Sequence, residues 1–223
     1  MTVHFKLRLL IRRVGIGLLG VLAMGGAYLG ALQLTGNFNT VVAGEFYRSG
    51  QLSPAQIADY VQTYGIKTII NLRGDNTGRA WYDAELVEAN RLNVAHLNFG
   101  ISARRELTAT KAAELIALMK DAKKPILIHC QAGADRSGLA SALYLAAIKN
   151  STEAEAEAQL SIRYGHFSLP FIAEYAMDRT LKALEPSIGY SRSQSTPEAG
   201  EETASTRKKS LSISARLPKW TAE

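Results

Sequence analysis

Residues 126–138 read Ile-Leu-Ile-His-Cys-Gln-Ala-Gly-Ala-Asp-Arg-Ser-Gly, and the reading of this stretch decides the fold. Three apolar residues between Pro125 and a polar, glycine-containing loop predict a short buried strand, and the Ala- and Leu-rich run over 137–149 predicts a helix directly after the loop. A loop that leaves a strand and enters a helix gathers backbone N–H groups and the positive end of the helix dipole in one small volume. That setting suits a tetrahedral oxyanion such as phosphate. The same field favours thiolate over thiol, which makes Cys130 a nucleophile. Arg136 offers a planar fork that holds two phosphoryl oxygens, a contact that a lysine ammonium does not reproduce. Gly133 lets the loop turn tightly around the anion.

Working outward, strand-like runs alternate with helix-like stretches, the pattern of an α/β domain with a mostly parallel sheet of four or five strands flanked by helices. Strands are predicted at Val41 to Tyr47 (a strand or hairpin), Lys67 to Leu72, Val94 to Phe99 and Pro125 to His129. Helices are predicted from Ser53-Pro54 to Tyr64, ended by Gly65, and over Ala80 to Arg91, Thr108 to Asp121, 137–149, 152–163 and about 169–184.

The segment His129-Cys130, five residues, Arg136-Ser137-Gly138 resembles the active-site motif of the cysteine-dependent phosphatases, the protein tyrosine and dual-specificity superfamily. The likeness extends over about 41–165. The stretch FYRSGQLSPAQIADYVQTYGIKTIINLRGDN looks like the N-terminal half of compact bacterial and atypical dual-specificity members. The resemblance implies a phosphatase-like fold and a metal-free, cofactor-free reaction. Cys130 would attack phosphorus to give a phosphocysteine, and Arg136 would bind the phosphoryl group together with the loop residues Gln131, Ala132, Gly133 and Ala134. His129 would help set the thiolate, and the Ser137 hydroxyl would assist its departure.

The general acid is open between three carboxyls. The loop around Gly100–Leu107, where many members carry an acidic residue, contains only Glu106. Asp135 is the favoured candidate, because CQAGADRSG resembles the Cys-x-x-Gly-Lys-Asp-Arg loop of bacterial lipid and tyrosine phosphatases, in which this Asp is thought to donate the proton. Ala134 stands here in place of that lysine, which weighs against phosphoinositide specificity. Asp75 or a water completes the set. Arg73, at the end of a parallel strand, is a candidate substrate-binding residue, and Arg104 and Arg105 are candidates for a second phosphate. Arg48 reads as a structural ion-pair partner. His96 and His166 lack metal-ligand spacing with Cys130, so no metal site is expected.

The chain has 223 residues, 47% of them hydrophobic, and one cysteine, which allows a single domain with appendages and excludes an intramolecular disulfide framework. Its net charge of +6 sits in the two ends. Residues 1–34 hold Lys6, Arg8, Arg12 and Arg13 with no acid, residues 186–223 hold six Lys or Arg against four acids, and 35–185 is balanced. A neutral body argues against a nucleic-acid-binding domain.

Residues 14–34 form an uncharged run about as long as the ~20 residues a helix needs to cross a bilayer. With the basic flank at 1–13, this predicts a single-pass anchor that leaves the catalytic domain outside the cytoplasm, in the periplasm if the cell is bacterial. A cleaved signal peptide is the competing reading, with small-residue sites at Gly25-Gly26-Ala27 and Leu29-Gly30-Ala31. The predicted organisation is therefore a flank at 1–13, an anchor at 14–34, a phosphatase domain at 35–185 and a disordered Ser/Thr- and charge-rich tail at 186–223.

These readings converge on a phosphomonoester hydrolase acting on a phosphorylated protein or a small phosphorylated molecule. An inositol phosphate or phosphoinositide phosphatase with the same chemistry is the nearest alternative. Sulfur transfer and a non-catalytic phosphate-binding role are the readings from other classes.

Overall fold

The computed structural model describes residues 2–188 and 190. A long helix, α1 (Thr2–Leu34), precedes a hairpin of β1 (Asn39–Val42) and β2 (Phe46–Ser49). The chain then alternates through α2 (Pro54–Tyr64), β3 (Thr68–Asn71), α3 (Ala80–Arg91), β4 (Ala95–Asn98), α4 (Ala109–Asp121), β5 (Ile126–His129) and α5 (Asp135–Ala147). It closes with a short α6 (Glu153–Glu157) and α7 (Ala176–Leu184). The sheet order is β1-β2-β5-β3-β4, with β1 antiparallel to β2 and all other pairs parallel.

β5 lies at the centre because it can be buried on both faces. Alternation along the strands sends Ile126, Ile128 and Ile70 into a core with α4, α5 and α7. Leu127, Ile69 and Tyr47 face the opposite core with Ile57 of α2 and Ala89 of α3. α5 is buried around its whole circumference, from Ser137 to Ala146. Burial of side chains such as Leu139 and Leu143 is worth about 1.5–3 kcal/mol each. Register places Ser49, His129 and Asn71 abreast at the C-terminal ends of β2, β5 and β3, the side on which parallel sheets bind ligands.

α2 starts on the Ser53 capping box and ends on Gly65 in the left-handed conformation, as its sequence signals predict. Two helices are shorter than their periodicity suggests. The stretch over 152–163 is helical only to Glu157, since Gln159 leaves the helix to meet Arg48 of β2. The one over 169–184 begins at Ala176. Pro170 supplies no backbone donor, and the chain before it is held instead by His166, bonded to Asp135 and Asp178.

Past Pro186 the chain is still packed, with Ile188 against the core and the Tyr190 hydroxyl donating to the Ser151 carbonyl at 2.9 Å. The rest of the predicted tail, from 191 onward, lies outside the described residues.

Arg12–Leu34 is long and apolar enough to cross a bilayer by length and composition, with side chains such as Leu18, Leu19 and Leu22 exposed. Its end is fixed to the domain. The Asn37 amide donates to the Leu32 carbonyl at 2.7 Å, and the Gly50 amide donates to the Gly36 carbonyl at 2.8 Å.

Candidate active site

The loop from Cys130 to Arg136 leaves β5 and enters α5, whose N-cap, Ala134, contributes no side-chain hydrogen bond. Four consecutive carbonyls of this loop are tied outward. Gln131 accepts from the Gln51 amide at 3.0 Å, and Ala132 accepts from Asn37 Nδ2 at 3.0 Å. Gly133 and Ala134 both accept from Arg48 Nη2, at 2.8 and 2.9 Å. With the carbonyls turned away, the amides of residues 131–136 donate to no protein acceptor among the described residues. A ring of unpaired N–H groups at a helix N-terminus suits an anion.

Arg48 is therefore a brace and not the ion-pair partner its sequence suggested. It is fully buried, its Nη1 donates to Gln159 O at 2.7 Å and to Gln159 Oε1 at 3.2 Å, and its guanidinium lies 4.1 Å from the centre of the Tyr164 ring. Burial lowers its pKa to about 10, which leaves the guanidinium charged at neutral pH. Glycines make these approaches possible. A Cβ on Gly133, at φ +75°, would lie 2.5 Å from the Gly50 nitrogen, and one on Gly138 would lie 2.8 Å from the Gln159 carbonyl oxygen.

Cys130 is almost wholly buried at the floor of a cavity of about 480 Å³, where Gln131, Ala132, Asp135 and Arg136 join it. Its Sγ is 3.5 Å from the buried Ser137 Oγ. Arg136 Nη1 makes only long contacts, 3.5 Å each, to the Leu72 and Ile101 carbonyls, and its buried Nε has no partner. The donors at the mouth of the loop are thus largely unused among the described residues.

Behind the loop, His129 Nε2 lies 2.9 Å from Glu85 Oε1, which also meets His96 Nε2 at 2.7 Å. Glu85 Oε2 accepts from Gln51 Nε2 at 2.5 Å. Burial would raise the Glu85 pKa, but bonds from His129, His96 and Gln51 outweigh it and hold the value at about 2. Glu85, His96 and His129 place ligand-type atoms close together, and they already satisfy one another as hydrogen-bond partners. The sequence reading passed over Glu85 and Gln51. A charged residue on the buried face of α3 was the available signal.

The three acid candidates are separated in space. Asp135 lines the cavity, and its Oδ1 is 2.7 Å from His166 Nδ1. The other ring nitrogen of His166 is 2.8 Å from Asp178 Oδ2. Burial alone would lower the pKa of this histidine, and the two carboxylates more than compensate and raise it. Glu106 is instead paired with Arg179 at 2.5 Å, and Asp75 accepts from Thr77; neither is among the cavity-lining residues.

Arg104 lines the cavity rim and is bonded to Glu174 at 2.9 Å, whereas Arg105 is exposed outside it. Arg73 does not line the cavity. Its Nη1 donates to Gln51 Oε1 at 2.7 Å and its guanidinium sits 3.4 Å from the centre of the Trp81 ring. Burial and the neighbouring Arg136 lower the Arg73 pKa, and Cys130 counteracts them. Gln51 thus bridges Arg73 to Glu85.

Residues 35–171 match a family described as a DSP-PTPase phosphatase fused to NAD+ kinase. No curated protein matches the sequence. Among solved structures, TpbA of P. aeruginosa is similar at 20% identity and a TM-score of 0.53, over 66% of this chain and 84% of that one. TpbA has also been solved in complex with pTyr. The core catalytic domain of the S. cerevisiae PP-IP phosphatase SIW14 aligns at 17% identity and a TM-score of 0.51, over 69% of this chain and 93% of that one. PTPMT1 aligns at 14% identity and a TM-score of 0.53, over 68% and 95%. At these identities the likeness to solved structures is one of fold.

Proposed function

Since the chain belongs to the DSP-PTPase phosphatase family, we propose that it hydrolyses phosphomonoesters of the tyrosine or dual-specificity type through a phosphocysteine on Cys130. The observation that carries this reading is the loop itself, with four carbonyls tied outward, the amides unpaired and Arg136 Nε without a partner beside a buried cysteine. In the first step the amides and Arg136 bind the phosphoryl oxygens and Cys130 Sγ attacks phosphorus. The S–P bond forms, the ester P–O bond breaks, and a proton from Asp135 goes to the leaving oxygen. The proton that Asp135 passes on is the one it shares with His166 Nδ1 at 2.7 Å, and in the second step water attacks phosphorus and returns a proton to that pair, while the thiolate departs toward the Ser137 hydroxyl. Apart from the attacking water and the substrate, the groups in this scheme are backbone amides and side chains of this chain.

His129 and Glu85 act from behind the loop as positioning residues. The similar structures include a pTyr complex and a PP-IP phosphatase, so phosphotyrosine and inositol phosphates are the substrate classes to compare first. Release of phosphate from para-nitrophenyl phosphate is expected to resist EDTA and to vanish in Cys130→Ser, with vanadate binding retained. Turnover by that variant would sink the reading.

The chain is further read as anchored through residues 14–34 with its catalytic domain outside the cytoplasm, on the uncharged length and the basic flank. A C-terminal reporter fusion active only in the cytoplasm would reverse that orientation.

A further inference from the structure

Outside α1, five large apolar side chains are exposed among the described residues, and four of them, Ile162, Phe167, Leu169 and Phe171, lie in the single segment 162–171. Phe171 is 83% exposed and Ile162 62%. Such a concentration on one short connection marks a contact surface. The segment is not a loose loop, because Tyr164 and His166 within it are buried and the latter is bonded on both ring nitrogens. A fixed base therefore holds the apolar residues outward.

The same segment packs on α1. The Tyr28 hydroxyl donates to the Arg163 carbonyl at 2.7 Å, and a Cβ on Gly165 would sit 3.5 Å from Leu32 and 3.6 Å from Leu29. Tyr28 precedes the helix end, Leu34, by roughly 9 Å along the axis at ~1.5 Å per residue. If the apolar run spans the hydrocarbon, the backbone of Arg163 lies below the level at which α1 emerges. That is the depth of ~5–10 Å at which apolar faces of interfacial elements sit, with tyrosines at the boundary. Exposed Arg163 supplies a cation beside Ile162 for anionic headgroups.

The connection from α1 to the catalytic loop is short and bonded. Asn37 Nδ2 donates both to Ala132 O of that loop, at 3.0 Å, and to Tyr164 O of the apolar segment, at 2.8 Å. Gln33, at the end of α1, lines the catalytic cavity. Lifting the domain off the bilayer would break these contacts.

We propose that residues 162–171 form a second membrane contact, whose partner is the lipid bilayer surface beside α1, and that this contact seats the mouth of the catalytic cavity at that surface. The inference rests on the reading of α1 as a retained anchor. It joins the lipid contact to the chemistry, since His166 of this segment holds Asp135.

The test uses the full chain in proteoliposomes made with brominated acyl chains, and single substitutions Phe171→Trp, Leu22→Trp and Val87→Trp. The added tryptophan emission is compared with that of the parent protein, and aryl phosphate turnover is followed on the same vesicles. Phe171→Trp should lose about half or more of its added emission to the brominated chains, Leu22→Trp at least as much, and Val87→Trp on α3 essentially none. Quenching at Leu22→Trp without quenching at Phe171→Trp overturns the proposal and leaves the anchor standing. Absence of quenching at Leu22→Trp removes the anchor and the proposal with it. Phe171→Trp emission that shifts with protein density but not with brominated lipid assigns the patch to a second copy of the chain and overturns the proposal. Turnover lost in every arm, with quenching as expected, counts against the phosphatase reading alone.

Discussion

Replacing Glu85 with Gln tests whether an ionised carboxylate behind the Cys130–Arg136 loop organises it. Glu85 Oε1 faces the Nε2 atoms of both His96 and His129, and Oε2 accepts from Gln51 Nε2. Gln51 cannot simply rotate its amide to suit a new partner, because its Oε1 accepts from Arg73. In Glu85→Gln the new amide group would meet the Gln51 amide donor to donor, or turn away from both histidines. The magnitude follows from the pKa of about 2, against an ordinary value of 4.5. Depression on folding stabilises the native state by about 3 kcal/mol at pH 7, at ~1.4 kcal/mol per pH unit. The folded pKa lies below the unfolded one, so this stabilisation is complete above pH 4.5 and disappears as the pH falls through 2. The expected result, by thermal unfolding of the full chain in a mild detergent, is a loss of about 6–12 °C in Glu85→Gln at pH 7. The gap between parent and variant should shrink to about half or less by pH 3. An equal gap at both pH values would refute the reasoning and assign the loss to packing.

Two further outcomes concern the loop. Asp135→Asn should slow hydrolysis of alkyl phosphates by about 10²-fold or more while sparing aryl esters of acidic phenols, whose leaving groups need no proton; equal losses on both would give Asp135 a structural role and return Glu106→Gln to the same comparison. Arg48→Lys should lower kcat/KM on aryl phosphates by about tenfold or more and weaken vanadate binding in parallel, because one ammonium cannot reach Gln159 and both loop carbonyls. Unchanged vanadate affinity would remove Arg48 from the bracing of the loop.

What is local in this fold was legible in the residues alone. A strand, a loop with one glycine and a helix follow one another within 126–147, so the order that carries Cys130 and Arg136 to the two ends of one short loop is a local property of the chain. Strand and helix order was legible for the same reason, since periodicity and caps act over a few residues. Tertiary structure alone decided what depends on distant partners. Arg48 of β2 looked like half of an ion pair, yet its partners are carbonyls brought to it from 133, 134 and 159. The helical pattern over 152–163 yielded to that same contact, because an unpaired buried guanidinium costs more than one turn of helix gains. Glu85 is one acidic residue on α3 until the sheet sets His129 and His96 on either side of it. Asp135 was favoured over Glu106 by motif resemblance alone, and only folding shows what stands beside each, His166 at the cavity for one and Arg179 at the surface for the other. The physical reason is common to all four. A charged side chain's role is set by what replaces its water on burial, and that is a property of the packed chain.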